Sequence, residues 1–178
     1  MNETIAWIDR PAPEGRWGDP QALCLPLSDR GLLLADGLFE TLLVEAGEPL
    51  LLEAHLRRWQ AAASLLELPL PPPEERVRQL TRQAVARSGI AMGALRLNWS
   101  RGAGTGRGID LPPPQAPESG PRFWLQLSRC RPCFEAVTVI VSRSERRNAD
   151  SLLSRCKTFA YGASIGARRE ARRAGADD

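Results

Sequence analysis

Lysine is almost missing from this chain. Of the 24 basic residues other than histidine, Lys157 is the single lysine, against twenty-three arginines. An arginine stays protonated and is a poor nucleophile. A lysine amine loses its proton when desolvated and attacks a carbonyl, forming a Schiff base. A coding preference for arginine would also leave one chance survivor, and composition alone does not separate the two readings. Histidine is as scarce, with only His55. The four cysteines are Cys24, Cys130, Cys133 and Cys156. The C-x-x-C of Cys130 and Cys133 has no second pair and no histidine group to complete a zinc set. It lies between two expected strands rather than at a strand-to-helix start. No metal site is expected, and the cysteines are read as reduced. No apolar run approaches the roughly 20 residues that span a bilayer. The opening MNETIAWIDRPAPEG has neither the basic nor the apolar stretch of a secretory signal. The expectation is a cytoplasmic chain with no membrane partner.

What is present supports a folded core. Hydrophobic residues make up 43% and charged residues 25% of the 178 positions, which excludes a disordered composition. Charge is uneven: residues 1–120 hold twelve arginines against fifteen acids, residues 121–178 twelve basic residues against six. The basic run Arg168-Arg169-Glu170-Ala171-Arg172-Arg173 suits the end of a helix, where cations complement the dipole. No aromatics interleave with it, so a nucleic-acid partner is not expected.

Periodicity predicts mixed α and β structure. Thr4–Asp9 and Ala22–Leu27 read as extended. Phe39–Glu45 and Pro49–Leu52 flank Ala46-Gly47-Glu48, a hairpin signal. Glu53–Glu67 is helical by spacing, with Leu56, Trp59, Ala63 and Leu66 on one side. Three prolines, 71–73, stop it. A second helix follows, with Glu74 and Glu75 at its start and Val77, Leu80, Ala84 and Val85 inward. Residues 94–100 and 122–129 alternate as half-buried strands. Ala136–Val141, AVTVIV, predicts a strand buried on both faces, and residues 158–174 a helix stopped by Gly175. A domain boundary is placed at residues 129–134, giving 1–128 as an α+β domain and 135–178 as the beginning of a second.

The loop SRGAGTGRG, residues 100–108, is no dinucleotide fingerprint, since G-x-G-x-x-G from Gly104 would need glycine at Ile109. It is no P-loop either, for the chain has no Gly-Lys pair. Lys157 falls between the expected strand and helix, where partial desolvation frees the amine. Small residues follow it: Ala160, Gly162, Ala163, Ser164 and Gly166. They leave room for a packed helix or a flat cofactor.

Three segments in order, LSDRGLLLADGLFETLLVEAGEPLLLEAHLRRW (27–59), LRLNWSRGAGTGRGIDLP (95–112) and the stretch from Ser154 onward, resemble the class IV aminotransferase family of fold-type IV pyridoxal-phosphate enzymes. The resemblance implies pyridoxal 5'-phosphate as cofactor and Lys157 as the Schiff-base lysine and proton shuttle. It implies Arg58, in His55-x-x-Arg58, as the phosphate ligand. Tyr161 would face the cofactor's phenolic oxygen. Phe39 would wall the substrate pocket, and Arg107 would bind a substrate carboxylate, while Arg101 braces the loop. Without the resemblance, Arg58 reads as a surface charge, and Phe39 and Tyr161 as core aromatics.

The chain departs from the family in two ways. Ala160 stands where many lyase-like relatives carry asparagine. Relatives also continue past Asp178, so an incomplete cofactor domain is expected, leaving apolar surface open in residues 135–178. The implied activity is that of 4-amino-4-deoxychorismate lyase, eliminating pyruvate to leave p-aminobenzoate from a small amino substrate that carries a carboxylate. The alternatives are an aminotransferase for D- or branched-chain amino acids, and an inactive fragment or dimerising scaffold. The family implies a homodimer.

Overall fold

Apolar alternation in separate segments builds one antiparallel sheet. The computed structural model describes residues 3–9, 15–104, 108–111 and 120–178. Strands β1 (Thr4–Ile8), β2 (Arg16–Gly18), β3 (Gly37–Glu45), β4 (Glu48–Pro49), β5 (Gly93–Ser100) and β6 (Arg122–Arg129) lie in the order β2-β1-β6-β5-β3-β4. Every pairing is antiparallel. The β3–β4 turn places Ala46 and Gly47 at φ 49° and 83°. Two left-handed residues in a two-residue turn match the twist of a hairpin.

Register fixes two unlike faces. Leu38 pairs with Trp99, Glu40 with Leu97 and Leu42 with Leu95. Helices α2 (Leu52–Leu65) and α3 (Glu74–Ser88) complete that core, through Leu56, Trp59 and Ala63 of α2 and Val77, Leu80 and Ala84 of α3. The spacing of these residues is the helical period read from the sequence. Burying each large side chain contributes about 1.5–3 kcal/mol. Helix α3 has Glu74 and Glu75 in its first turn, Arg87 in its last and Gly89 at φ 70° beyond it, each placed as the dipole and a left-handed stop favour. The other face of the sheet carries Phe39, Thr41, Arg96, Asn98 and Trp124, which alternate with the core residues. Asn98 and Ser100 are buried on it, so the end of β5 is covered on both sides, while its first part alternates as a half-buried strand.

Four expectations fail. The second hairpin strand, expected at Pro49–Leu52, is only Glu48–Pro49, because Leu51 turns at φ 52° and Leu52 already opens α2. Residues 22–27 form no strand. Pro20 and Pro26 flank this stretch and offer no N–H to a ladder, and β2 forms earlier, pairing Trp17 with Trp7. Ala136–Val141 is not a buried strand. Val137, Val139 and Val141 are 65%, 64% and 90% exposed. The segment's backbone bonds run to the chain end, Ile140 N–H to the Asp178 carbonyl at 2.8 Å and Asp177 N–H to the Thr138 carbonyl at 2.8 Å. β-Branched residues favour an extended backbone, but a ladder also needs a partner strand. Helix α4 (Gly162–Arg173) starts at residue 162 rather than 158, because residues 157–159 hydrogen-bond to β3 instead. Its stop is the expected one, with Gly175 at φ 73°.

Candidate active site around the single lysine

The edge of β3 away from β5 is shared. Its far end, Val44 and Glu45, pairs with β4. Its start takes the lysine segment. Phe39 N–H donates to the Lys157 carbonyl at 2.9 Å, Phe159 N–H donates to the Gly37 carbonyl at 3.1 Å, and Leu38 and Thr158 form a bridge. The dock depends on missing side chains. A Cβ on Gly37 or Gly31 would run into the Phe159 ring, which also packs on Trp124 at 5.6 Å. Two glycines and Trp124 thus seat Phe159, and Phe159 seats Lys157.

Around Lys157 the structure brings Phe39 and Tyr161 together. The Phe39 ring lies 5.0 Å from Lys157 Nζ and 5.2 Å, edge-on, from the Tyr161 ring. Lys157 and Tyr161 also line a cleft of about 420 Å³, with Ala160, Ser164 and Cys156. The small residues that open α4 are exposed on it. No carboxylate pairs with Lys157 among the described residues. Cys156, next to the lysine, is buried. Burial raises its thiol pKa, and Arg155 opposes this only in part. A protonated thiol is a weak nucleophile.

Arg96 was not anticipated. Its guanidinium carbon sits 3.7 Å from the Phe39 centroid. The residue as a whole is exposed, yet its charged end packs on the ring. Burial there lowers its pKa, and Tyr161 pulls the other way. Its Nε donates to Asn98 at 2.9 Å. In the sequence Arg96 is only the polar member of an alternating strand. Its register opposite Thr41, two residues from the Phe39–Asn98 pair and so on the same face, was the signal that would have found it.

Arg58 stands in a separate group. Its Nε and one terminal nitrogen donate to the two Glu40 oxygens at 2.7 and 2.6 Å. His55 Nδ1 lies 2.9 Å from the same carboxylate. The Arg58 side chain is 51% exposed and Glu40 1%. The Glu40 hydrogen bond raises the Arg58 pKa, burial works against it, and the carboxylate's charge adds to the rise. Glu40 was also missed: an acid within an apolar strand gives no signal unless His55-x-x-Arg58 is known to pack over it. Phe39 and Glu40, adjacent on β3, are what connect the two groups.

Arg107 lies outside the described residues. Arg101 braces the loop as expected. It bonds Asp36 at 2.8 Å and the carbonyls of Glu67 and Leu66 at 2.7 and 3.0 Å. Asp36 also takes Arg30, whose remaining nitrogens hold the Asp110 and Ile109 carbonyls. Asp29 caps α1 (Arg30–Leu34) through Gly31 N–H and accepts from Ser100 Oγ at 2.7 Å.

Pyridoxal phosphate requires an amine for its carbonyl carbon and a cation for its phosphate. Lys157, free of carboxylates beside an aromatic wall, fits the first. The outer edge of Arg58, not engaged by Glu40, fits the second. Residues 37–178 match the family described as amino-transferase class IV. Over 91 residues, half of this chain, the sequence is 40% identical to a bifunctional aminodeoxychorismate lyase / D-amino acid transaminase of Mycobacterium tuberculosis. The fold matches a PLP-bound hypothetical aminotransferase of that organism with TM-score 0.74 and 29% identity, covering 98% of this chain and 60% of that one. It matches a 4-amino-4-deoxychorismate lyase of Pseudomonas aeruginosa with TM-score 0.67 and 32% identity, covering 93% and 56%. The matched stretch spans 24% and 32% of the curated relatives' lengths. With the family profile matched over most of its length and the fold-type IV architecture in place, this chain belongs to the class IV aminotransferase family.

Proposed function

We propose that this chain serves a pyridoxal-phosphate enzyme of the 4-amino-4-deoxychorismate lyase type, acting on a small amino substrate that carries a carboxylate. One observation carries the reading. The single lysine of the chain is fixed through its own carbonyl to Phe39, with Nζ beside the Phe39 ring and the Tyr161 ring edge-on to that same ring. When bound, pyridoxal phosphate supplies an electrophilic carbon for an amine and a ring that accepts electron density.

The chain's residues do the rest. Lys157 Nζ is the amine that would hold the cofactor's carbonyl carbon, and as a free amine it would take and return the proton at the substrate carbon. Phe39 shields that nitrogen from water on one side. Tyr161, held edge-on by Phe39, offers its hydroxyl to the cofactor's phenolic oxygen. Arg58 meets the phosphate with its outer edge. Arg107 is assigned to the substrate carboxylate, and Arg96, stacked on Phe39, adds positive charge to the same side. The family's homodimeric state and a cytoplasmic site of action are part of the proposal. No helix among the described residues is long and apolar enough to cross a membrane.

A second reading rests on the bifunctional name of the Mycobacterium tuberculosis relative: transamination of a D-amino acid at the same site. Pyruvate and p-aminobenzoate released from 4-amino-4-deoxychorismate without any keto acid supports the lyase. Turnover only with an acceptor keto acid replaces it with the aminotransferase. Borohydride reduction followed by peptide mapping should place the pyridoxyl group on Lys157. Label found only on the N-terminal amine would refute both readings.

A further inference from the structure

The Glu40 carboxylate is the least expected charge in the fold. It sits in a row of core leucines, facing Leu97 across the sheet, and is 1% exposed. A buried ion pair is weak evidence for stability, because desolvation offsets its attraction. Its geometry is more informative. Both carboxylate oxygens are engaged, Oε1 by Arg58 Nε and Oε2 by an Arg58 terminal nitrogen and His55 Nδ1. A planar guanidinium gripped along one edge has no freedom to rotate. Its other edge, with the second terminal nitrogen, must then point along a fixed direction.

We propose that Glu40 is a positioning residue for phosphate recognition: with His55 it locks the guanidinium plane of Arg58, so that the free edge is pre-oriented for a phosphate. This rests on the reading of Arg58 as the phosphate ligand. The strand makes the arrangement one of register. Glu40 and Phe39 are neighbours with side chains on opposite faces. Phe39 holds the Lys157 backbone, and Glu40 holds Arg58. One strand thereby sets the relation between the amine and the phosphate cation, and lowers the ordering cost of binding.

The test compares pyridoxal phosphate with pyridoxal, which lacks the phosphate. Affinities are read by absorption titration of the chain and its variants. Glu40→Gln keeps shape and removes the charge. It should weaken pyridoxal phosphate binding roughly tenfold, the scale of one charge-assisted hydrogen bond, and leave pyridoxal unchanged. In an Arg58→Ala background the same change should have no further effect. If Arg58→Ala weakens pyridoxal phosphate selectively and Glu40→Gln does not, the positioning role is wrong while the phosphate reading stands. If Arg58→Ala affects both ligands equally, the phosphate reading falls and the proposal with it. His55→Ala, nearer the surface, provides the same comparison should Glu40→Gln fold poorly. A selective loss with pyridoxal phosphate supports the proposal, and an equal loss with both ligands, or none, overturns it.

Discussion

Arg58 is a half-exposed arginine that the sequence presents as one charge among many. On the proposed reading it works through its fork, not its charge. Arg58→Lys keeps the charge but cannot hold two Glu40 oxygens and a phosphate in fixed planes. The expected cost to pyridoxal phosphate binding is about 1–2 kcal/mol, measured by absorption titration; unchanged affinity would return Arg58 to the surface. At the other end of the chain, Glu170 gives a pH prediction. Its carboxylate accepts from Ser144 Oγ at 2.6 Å, from the Arg143 N–H at 3.0 Å and from Ser142 Oγ at 2.7 Å. These bonds lower its pKa to about 2, with the Ser144 hydroxyl the largest cause. A depressed carboxyl contributes stability above its unfolded pKa, and loses it as pH falls through the folded value. In the folded chain Glu170 should therefore stay ionised until about pH 2, while the stability it lends to the contact of α4 with residues 142–145 shrinks progressively as pH falls from the ordinary carboxylate range towards that value. A side-chain carboxyl titration by NMR checks this, and a midpoint at the ordinary glutamate value would contradict it. From the residues alone only Lys157 stood out, by its scarcity; Tyr161, Phe39 and Arg58 were singled out by the family resemblance of their segments, not by spacing. Glu40 and Arg96 stood out in neither way, because each acts through a neighbour far away in the chain.

At the scale of elements, the hairpin, α2, α3, β5 and β6 were readable because each carries its own period and its own punctuation. Short β2 was not: three residues hold no period, and only the packing of Trp17 on Trp7 at 6.4 Å marks it. The strand expected at residues 136–141 failed for the opposite reason. Its composition is right, but composition cannot supply a pairing partner. The helix expected from residue 158 lost its first turn to β3, a tertiary contact that no local signal reports. That contact yields a prediction about Gly37. An added Cβ would meet both the Phe159 ring and the Trp99 carbonyl, and the backbone carbonyl has little room to move. Gly37→Ala should destabilise the docked segment by about 1–3 kcal/mol, as overpacking does, and should displace Lys157. Denaturant unfolding reads the first effect, and the rate of covalent pyridoxal phosphate attachment reads the second. Normal attachment in a fully stable Gly37→Ala variant would show that the glycine socket does not set the lysine's position.

Across the whole molecule, the two halves of the chain differ in how they bury apolar surface. Up to residue 129 the sheet and two helices enclose a continuous core. After it, Phe134 is 92% exposed, and Val137, Val139 and Val141 follow at alternate positions along one side of an extended segment, with Ile165 of α4 also open. An exposed, β-branched stretch outside any sheet is what edge-to-edge association uses, and a large apolar surface seldom stays in water. The chain is therefore expected to self-associate through this face in solution, increasingly with concentration. Light scattering across a dilution series measures it. Val139→Glu together with Val141→Lys should suppress the association and leave the unfolding of the sheet domain unchanged, since neither side chain touches its core. If the unmodified chain is a monodisperse monomer at every concentration, the valine face is not adhesive and its apolar character needs another explanation. If the double variant associates as strongly as the parent, the exposed leucines of α1, Leu32 and Leu33, become the surface to test.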